Sequence, residues 1–358
     1  MHVAVIGRGI LGASIAYHLA LKDVNVTVID VHNNNSNATS NNFGCLNVYN
    51  YEPDHYFFLR QSGIEYQVRL ASEINAIDFV HQVGTLRWAQ GAGTHARLVE
   101  GICRLEKHGV PFELFEPGDV AKYLEPGLNP GRVVGPVVRV PLEGWSDGSR
   151  FSRCLLDAGG SHIANVSAEV LRYATTRRGV SIDLKSATIQ ADKLILAAGI
   201  GIPALMQHHG VKIPVNAEPG VMFISTSAAQ GPLSHVIYAE SLHFRSHSPT
   251  QVIGGHHGAF VPNGYNAEQE AALTAQLVFE LYPSIKAGTA EPVLGIRPVP
   301  EDGFPVLGWL DERRRTYVAT THSGITLGAL LGRLCASEIL GAEDELLKHY
   351  RPSRFNKV

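Results

Sequence analysis

The opening residues alternate between short apolar runs and a helical periodicity. Residues 3–6 are apolar and mostly β-branched, residues 10–21 repeat apolar and small side chains at helical spacing, and a second β-branched run ends at Asp30. Short apolar runs of this kind predict buried parallel strands, and the repeat between them predicts the connecting helix. The pattern therefore predicts a β–α–β unit at the start of the chain.

Further helical and strand patterns follow through the rest of the chain. Between residues 215 and 260 the signals are all strand-like, which indicates an antiparallel sheet in a second domain. A helix over 267–282 is expected to pack on that sheet. The remaining predicted helices cover 55–82, 94–108, 117–124, 149–158 and 325–340, and the remaining predicted strands cover 83–89, 133–140, 161–173, 179–184, 193–199 and 316–321.

Three glycines join the first predicted strand to the first predicted helix. Gly7, Gly9 and Gly12 have G-x-G-x-x-G spacing, which suits a tight turn, a close approach of the backbone to a pyrophosphate, and close packing of the helix on the strand. The N–H groups at the start of the helix would bind phosphate, and Asp30 would accept hydrogen bonds from an adenosine ribose. These residues predict a dinucleotide site without distinguishing FAD from NAD. The alternative is a glycine-rich turn that binds no ligand.

Length and composition limit the classes of function. A chain of 358 residues is long enough for two domains, or for one domain with a large insertion. The net charge of −3 and the lack of a basic block argue against nucleic-acid binding. No apolar run is long enough to span a bilayer. Because a core strand begins at once, we expect no signal peptide and a cytoplasmic location.

Cysteines and histidines do not form a metal-binding motif. None of the cysteines has C-x-x-C spacing, so we expect neither zinc nor a redox dithiol, and we expect a reduced intracellular protein. The adjacent histidines at 208–209 and 256–257 would point to opposite faces of a strand. We therefore expect no bound metal. The four cysteines are Cys45, Cys103, Cys154 and Cys335.

The last predicted helix has one face without side chains. Gly324, Gly328 and Gly332 recur every four residues, which indicates close packing of this face near a ligand. A transmembrane helix pair is the other interpretation of such spacing, but Arg333 and Glu338 interrupt the apolar run.

Four blocks of the sequence together resemble the D-amino-acid oxidase superfamily of FAD oxidoreductases, which includes glycine oxidase, sarcosine oxidase and D-amino-acid dehydrogenases. The resemblance covers nearly the whole length. The blocks are the glycine turn with residues 38–40, residues 143–147, residues 191–199, and the pair 295–308 and 321–326.

The resemblance implies an α/β fold, in which a Rossmann-like FAD-binding domain carries a discontinuous, antiparallel-sheet (α+β) substrate domain. It places the FAD-binding domain in residues 1–83, 142–214 and 293–358, and the substrate-binding domain in residues 84–141 and 215–292. It implies FAD as the cofactor. No cysteine accompanies the 295–308 block, so a cysteinyl-flavin link there is not expected; Cys45 and the histidines leave other covalent links open. The residues implied at the cofactor are Gly7, Gly9, Ile10, Leu11, Gly12, Asp30, Thr39, Ser40, Gly44, Val170, Ala198, Gly199, Ser323, Gly324, Ile325 and Thr326.

The resemblance also implies residues that contact the substrate. Arg297 would bind a carboxylate through two parallel hydrogen bonds; the alternative is an ion pair within the protein. His322 occupies the place of a second arginine of glycine oxidase, and His243 that of a tyrosine facing the flavin, with Tyr238 nearby. His243, His322 and Tyr238 would hydrogen-bond the substrate or assist its deprotonation.

The expected reaction oxidises the C–N bond of a small amino acid or secondary amine, by hydride transfer to flavin N5. One alternative is a flavoenzyme of the same fold that oxidises a 2-hydroxy acid, or a modified or larger amine in a biosynthetic route. A second is a non-catalytic flavin-binding subunit. The sequence is compatible with a homo-oligomer. It does not identify the electron acceptor.

Overall fold

A computed structural model describes residues 1–31, 38–49, 51–89, 91–207, 209–226, 233–256, 266–285 and 289–355. Its central sheet has six strands. The predicted unit forms as β1, α1 and β2, and β1 pairs in parallel with β2 on one side and with β13 on the other. Five strands are parallel, and β19 runs antiparallel to β20 at one edge. In spatial order the strands are β19 (Val306–Trp309), β20 (Thr316–Thr320), β13 (Lys193–Leu196), β1 (His2–Ile6), β2 (Asn25–Asp30) and β9 (Ile163–Ser167), and α1 covers Ile10–Ala20.

An eight-stranded sheet forms a second layer, as the strand-rich middle of the sequence predicts. It is antiparallel except where β15 pairs in parallel with β5. The strands are β18 (Ala290–Pro300), β14 (Val215–Thr226), β17 (Gln251–His256), β16 (Leu242–Ser248), β15 (Val236–Ala239), β5 (Thr85–Trp88), β7 (Val137–Val140) and β6 (Glu113–Phe115) in spatial order.

Two three-stranded sheets contain the other strands of the described residues. One is an antiparallel meander beside the central sheet, and the other joins short segments from three parts of the chain. The meander consists of β10 (Val170–Thr175), β11 (Val180–Leu184) and β12 (Thr188–Ala191), and the other sheet of β3 (Cys45–Leu46), β8 (Gly144–Ser146) and β4 (Val80–His81).

Helices pack against the sheets, and buried residues of helices and strands together form the core. The bare face of α8 (Gly324–Ile339) packs on α1, and a Cβ at Gly328 would lie only 2.9 Å from Cγ1 of Ile10. The predicted close packing is thus real, and its partner is the N-terminal helix. The remaining α-helices of the described residues are α2 (Asp54–Glu73), α3 (Ala92–Lys107), α4 (Pro117–Asp119), α5 (Gly148–Ala158), α6 (Ile202–Met206) and α7 (Ala267–Leu281).

The predicted helix over 55–82 is wrong in its last third. The chain leaves α2 after Glu73, because Asn75 adopts a left-handed conformation with φ of 53°, which a helix does not tolerate. A short 3₁₀ turn and β4 follow. Apolar residues continue at helical spacing beyond the end of α2, so periodicity alone predicts a helix that is too long. Smaller corrections shorten the predicted strands at 133–140 and 193–199 to β7 and β13.

The mixed α/β fold predicted from the sequence is confirmed by this architecture. The division into two domains stays a prediction, and β18 crosses the boundary placed at residue 293. Within the described ranges, no helix has the length and apolarity needed to cross a membrane.

Candidate functional site

A cleft of about 780 Å³ opens where β1 and β13 end. After β1 the chain continues to β2 on one side of that strand, whereas the neighbour on the other side is β13. The strand order therefore reverses between β1 and β13. In open α/β sheets ligands bind at such a switch point, at the carboxyl ends of the strands. The cleft then extends from the central sheet to the eight-stranded sheet, whose β14, β16 and β18 line its far end.

The glycine turn brings backbone to the near end of the cleft. Gly7 has φ of 109° and donates from its N–H to the carbonyl oxygen of Ile29 at 2.9 Å. A Cβ at Gly7 would lie 2.3 Å from the carbonyl oxygen of Ala197, so only glycine fits between the two strands. A Cβ at Gly9 would lie 3.0 Å from Thr39 Oγ1 and would fill the approach to the start of α1.

Asp30 lies at the same end of the cleft, on the carboxyl end of β2. Its Oδ2 accepts a hydrogen bond from the N–H of Arg8 at 2.6 Å, and its Oδ1 accepts one from the N–H of Val31 at 2.7 Å. These bonds hold the carboxylate in a fixed orientation, and Val170 lines the same cleft. A fixed carboxylate offers further acceptor positions to a pair of ligand hydroxyls.

The first turn of α8 forms the middle of the cleft wall. Ser323, Gly324, Ile325 and Thr326 line it, and the N-terminus of this sixteen-residue helix carries the positive end of the helix dipole. Thr326 Oγ1 donates to the carbonyl oxygen of Cys45 at 2.8 Å and ties α8 to β3. Negative charge on a ligand would therefore be stabilised at this wall.

Two cationic side chains flank His322 on the cleft wall. Arg297 is half-exposed, and its Nη2 lies 3.4 Å from Oε2 of Glu218 on the paired strand β14. Burial, and then the charges of Arg297 and Arg60, lower the pKa of His322 to about 4. His322 is therefore neutral near pH 7, and it can accept a hydrogen bond without adding a third positive charge.

His243 and Tyr238 lie at the far end, around Phe43. His243 is buried and lines the cleft, with its ring edge-to-face on Phe43 at a centroid distance of 4.5 Å. Tyr238 lies behind this layer, where its hydroxyl donates to Cys45 Sγ at 3.1 Å. Burial raises the pKa of Tyr238 well above its ordinary value, so it stays protonated. The layer is aromatic and close-packed.

Most residues predicted from the sequence meet in this one cleft. Among the described residues, Gly12, Ser40 and Tyr238 do not line it: Gly12 packs against the glycine turn, Ser40 is exposed, and Tyr238 lies behind Cys45. The predicted residues that line the cleft are Gly7, Gly9, Ile10, Leu11, Asp30, Thr39, Gly44, Val170, Ala198, Gly199, His243, Arg297, His322, Ser323, Gly324, Ile325 and Thr326.

Several lining residues were not predicted. Arg60 comes from the buried face of α2, and its only signal in the sequence is a charge at helical spacing from Tyr56, Gly63 and Ile64. Others carry no motif that would have identified them, among them Phe43, Asn47, Tyr51 and Met222.

The residues present fit a dinucleotide cofactor. The space beside Gly9 is one that a side chain would fill, and Asp30 offers oriented acceptors. Thr320 and Thr321 line the cleft, and within the described part of the chain the buried hydroxyl of each lacks a hydrogen-bond partner. Buried hydroxyls of this kind are usually satisfied, so a ligand is expected to pair with them.

Over the described ranges, no group of three or more His, Cys, Asp or Glu side chains is placed to hold a metal ion. His208 and His257, each half of a histidine pair noted in the sequence, lie outside those ranges.

Comparison with known proteins identifies a family model and several relatives of this chain. The family model for FAD dependent oxidoreductases of the DAO type matches residues 2–338. A D-amino acid dehydrogenase from Xylella fastidiosa is 26% identical over 252 residues, which are 66% of this chain and 54% of that protein. The chain thus spans about half the length of the curated relatives that it matches.

Solved structures share the fold over nearly the whole chain. Glycine oxidase from Geobacillus kaustophilus superposes with a TM-score of 0.87, at 22% identity, over 98% of each chain. Iminodiacetate oxidase from a Chelativorans species superposes with a TM-score of 0.85, at 21% identity, again over 98% of each chain. At such identities the likeness establishes the fold alone.

Proposed function

This chain belongs to the family of FAD-dependent oxidoreductases, and from that premise we propose that it oxidises the C–N bond of a small amino acid or secondary amine that carries a carboxylate. The prediction of the family and of FAD as cofactor is confirmed. The substrate class is the proposal. Glycine, sarcosine and D-amino acids are the members that we propose, following the resemblance seen in the sequence.

The position of Arg297 carries the proposal. Its guanidinium lies on the wall of the same cleft that the glycine turn, Asp30 and the first turn of α8 line. Its partner Glu218 is 3.4 Å away and partly exposed, so a substrate carboxylate can replace it at little cost. A guanidinium binds a carboxylate through two parallel bonds, which fixes the orientation of the substrate as well as its affinity.

Each side chain then has a defined task. Arg297 holds the carboxylate, and His322 accepts a hydrogen bond from the substrate nitrogen without adding positive charge. His243 and Phe43 close the far end and limit the size of the substrate. Bound FAD supplies the chemistry, because it accepts the hydride from the carbon next to nitrogen. The protein contributes position and electrostatics, and no strong general base is needed.

We propose specific residues for the cofactor. Gly7 and Gly9, with the start of α1, would approach the pyrophosphate, and Asp30 would bind the adenosine ribose. The first turn of α8 would face the flavin ring with its N–H groups. Support comes from the shared cleft and from the fixed carboxylate of Asp30.

Anaerobic reduction of the yellow protein tests the function. Glycine, sarcosine, D-amino acids, L-amino acids and 2-hydroxy acids are added singly, and the loss of the flavin band is followed. Bleaching by a carboxylate-bearing amine supports the proposal. Bleaching by hydroxy acids alone would favour the second reaction class, and FAD that no compound in the panel reduces would favour a binding subunit. Hydrogen peroxide release in air then separates an oxidase from a dehydrogenase.

A further inference from the structure

Arg60 is a buried cation without a carboxylate partner. It lies on α2 with 1% of its surface exposed, and it lines the cleft. None of the acidic side chains in the described ranges forms an ion pair with it. Burying a charge costs free energy unless other groups compensate it, and Arg60 has no carboxylate that does so.

Neutral acceptors satisfy all the N–H groups of Arg60. Its Nε donates to the carbonyl oxygen of Asn47 at 2.8 Å, and its Nη2 donates to Asn47 Oδ1 and to Thr326 Oγ1. Its Nη1 donates to Ser323 Oγ at 2.5 Å and to the hydroxyl of Tyr56 at 3.2 Å. A guanidinium has five N–H donors, and these five bonds use them. Arg60 thus keeps its full charge but has no donor left for a ligand.

The charge of Arg60 is held against the cleft wall. Its Cζ lies 3.6 Å from the centroid of the Tyr51 ring, and two of its partners, Ser323 and Thr326, belong to the start of α8. The guanidinium and the positive end of the α8 dipole therefore act at the same place. In a water-poor site their fields add, and both favour negative charge in the cleft.

We propose that Arg60 is a positioning residue that holds the first turn of α8 and raises the reduction potential of the bound FAD by its charge. Reduction adds two electrons and one proton to the flavin ring, so the ring gains one net negative charge. A fixed cation without a counter-ion stabilises that product more than the oxidised cofactor. The inference rests on the flavin site of the proposed function.

Two substitutions remove the net charge in different ways. Arg60→Met keeps the length of the side chain and removes the charge. Asn47→Asp is isosteric and places a carboxylate against Arg60, so the guanidinium and its packing stay while the pair becomes neutral. Arg60→Lys keeps the charge but gives up most of the hydrogen bonds. Arg69→Met, at an exposed position on the same helix, is the matched control.

The measurement is the reduction equilibrium of the bound FAD against a reference dye, with dithionite as reductant. We expect Arg60→Met and Asn47→Asp each to shift the equilibrium constant at least tenfold toward oxidised flavin. For a two-electron couple this lowers the reduction potential by about 30 mV. Arg60→Lys is expected to stay within about threefold of the unmodified protein, and Arg69→Met is expected to have no effect.

An unchanged equilibrium in Asn47→Asp would overturn the proposal, as would an equal shift in Arg60→Lys and Arg60→Met. If Arg60→Met fails to fold, Asn47→Asp and Arg60→Lys decide the question. If a variant binds FAD weakly, the ratio of its dissociation constants for oxidised and reduced FAD gives the same quantity. A protein that binds no FAD at all would instead refute the flavin site of the proposed function.

Discussion

Nη2 of Arg87 lies 2.7 Å from Oε2 of Glu143, and both side chains are buried. Glu143 also accepts hydrogen bonds from the N–H groups of Val48 and Tyr49 and from Thr85 Oγ1. The carboxylate thus links the segment after β3 to β5 of the eight-stranded sheet. The Arg87 guanidinium in turn stacks on Tyr238, behind the far end of the cleft.

Glu143→Gln is expected to destabilise the protein by about 3 kcal/mol, because it leaves the Arg87 charge buried and unpaired. Urea unfolding measures the change. Glu113→Gln is the control, since Glu113 pairs with Arg139 at 2.9 Å in an exposed setting, where such pairs contribute up to about 1 kcal/mol. Equal losses of unfolding free energy in the two variants would show that the buried Arg87–Glu143 pair stabilises the protein no more than the exposed pair does.

Arg297→Met is expected to raise KM for a carboxylate-bearing substrate roughly thirtyfold, because a charge-assisted hydrogen bond worth about 2 kcal/mol is lost. FAD should remain bound. Glu218→Gln is the matched control, because it removes the charged partner of Arg297. In this variant KM should stay the same or decrease. A KM in Arg297→Met equal to that of the unmodified enzyme would exclude the assigned role.

Gly9→Ala is expected to weaken FAD binding at least tenfold, which is about 1.4 kcal/mol. The added methyl group would lie 3.0 Å from Thr39 Oγ1 in the space that the pyrophosphate is proposed to use. The backbone at Gly9, with φ of −64°, suits alanine, so the cost to the apoprotein should be limited to the small shift of Thr39 that the methyl group requires. Titration of the apoprotein with FAD gives the dissociation constant. Gly93→Ala, where a methyl group meets nothing within 4 Å, should bind FAD normally.

Acid is expected to destabilise the protein through His18. Burial lowers the pKa of His18 to about 4, while its ring bonds the carbonyl oxygen of Ser14 and the hydroxyl of Tyr66, each at 2.7 Å. The unfolded chain binds the proton below about pH 6.5, whereas the folded protein binds it only near pH 4. Stability contributed by neutral His18 is therefore complete above pH 6.5 and is lost as the pH falls toward 4.

Comparison with His18→Gln isolates this effect. The unmodified protein should lose roughly 2 to 3 kcal/mol more than His18→Gln between pH 7 and pH 4.5. Urea midpoints at a series of pH values provide the measurement, and His95→Gln, at an exposed position, is the control. A constant difference between the unmodified protein and His18→Gln across this range would show that His18 does not titrate as described.

The β1–α1–β2 unit could be predicted from the sequence because its signals are local. Apolar runs, glycine spacing and Asp30 all lie within one short stretch, and the structure places each element within a residue or two of its predicted bounds. The glycines of α8 likewise predicted close packing. Their partner was not predictable, since the facing residues Ile10 and Ser14 lie on α1 at the other end of the chain.

Tertiary structure alone decided the charges along the cleft wall at the start of α8. Arg60 looks like one more charge on a helix until the fold buries it against Ser323 and Thr326, far away along the chain. His322 reads as a titratable residue until burial and two arginines hold it neutral. Local patterns determine elements because they depend on neighbouring residues. The charge state and partners of a side chain depend on what the whole fold packs around it.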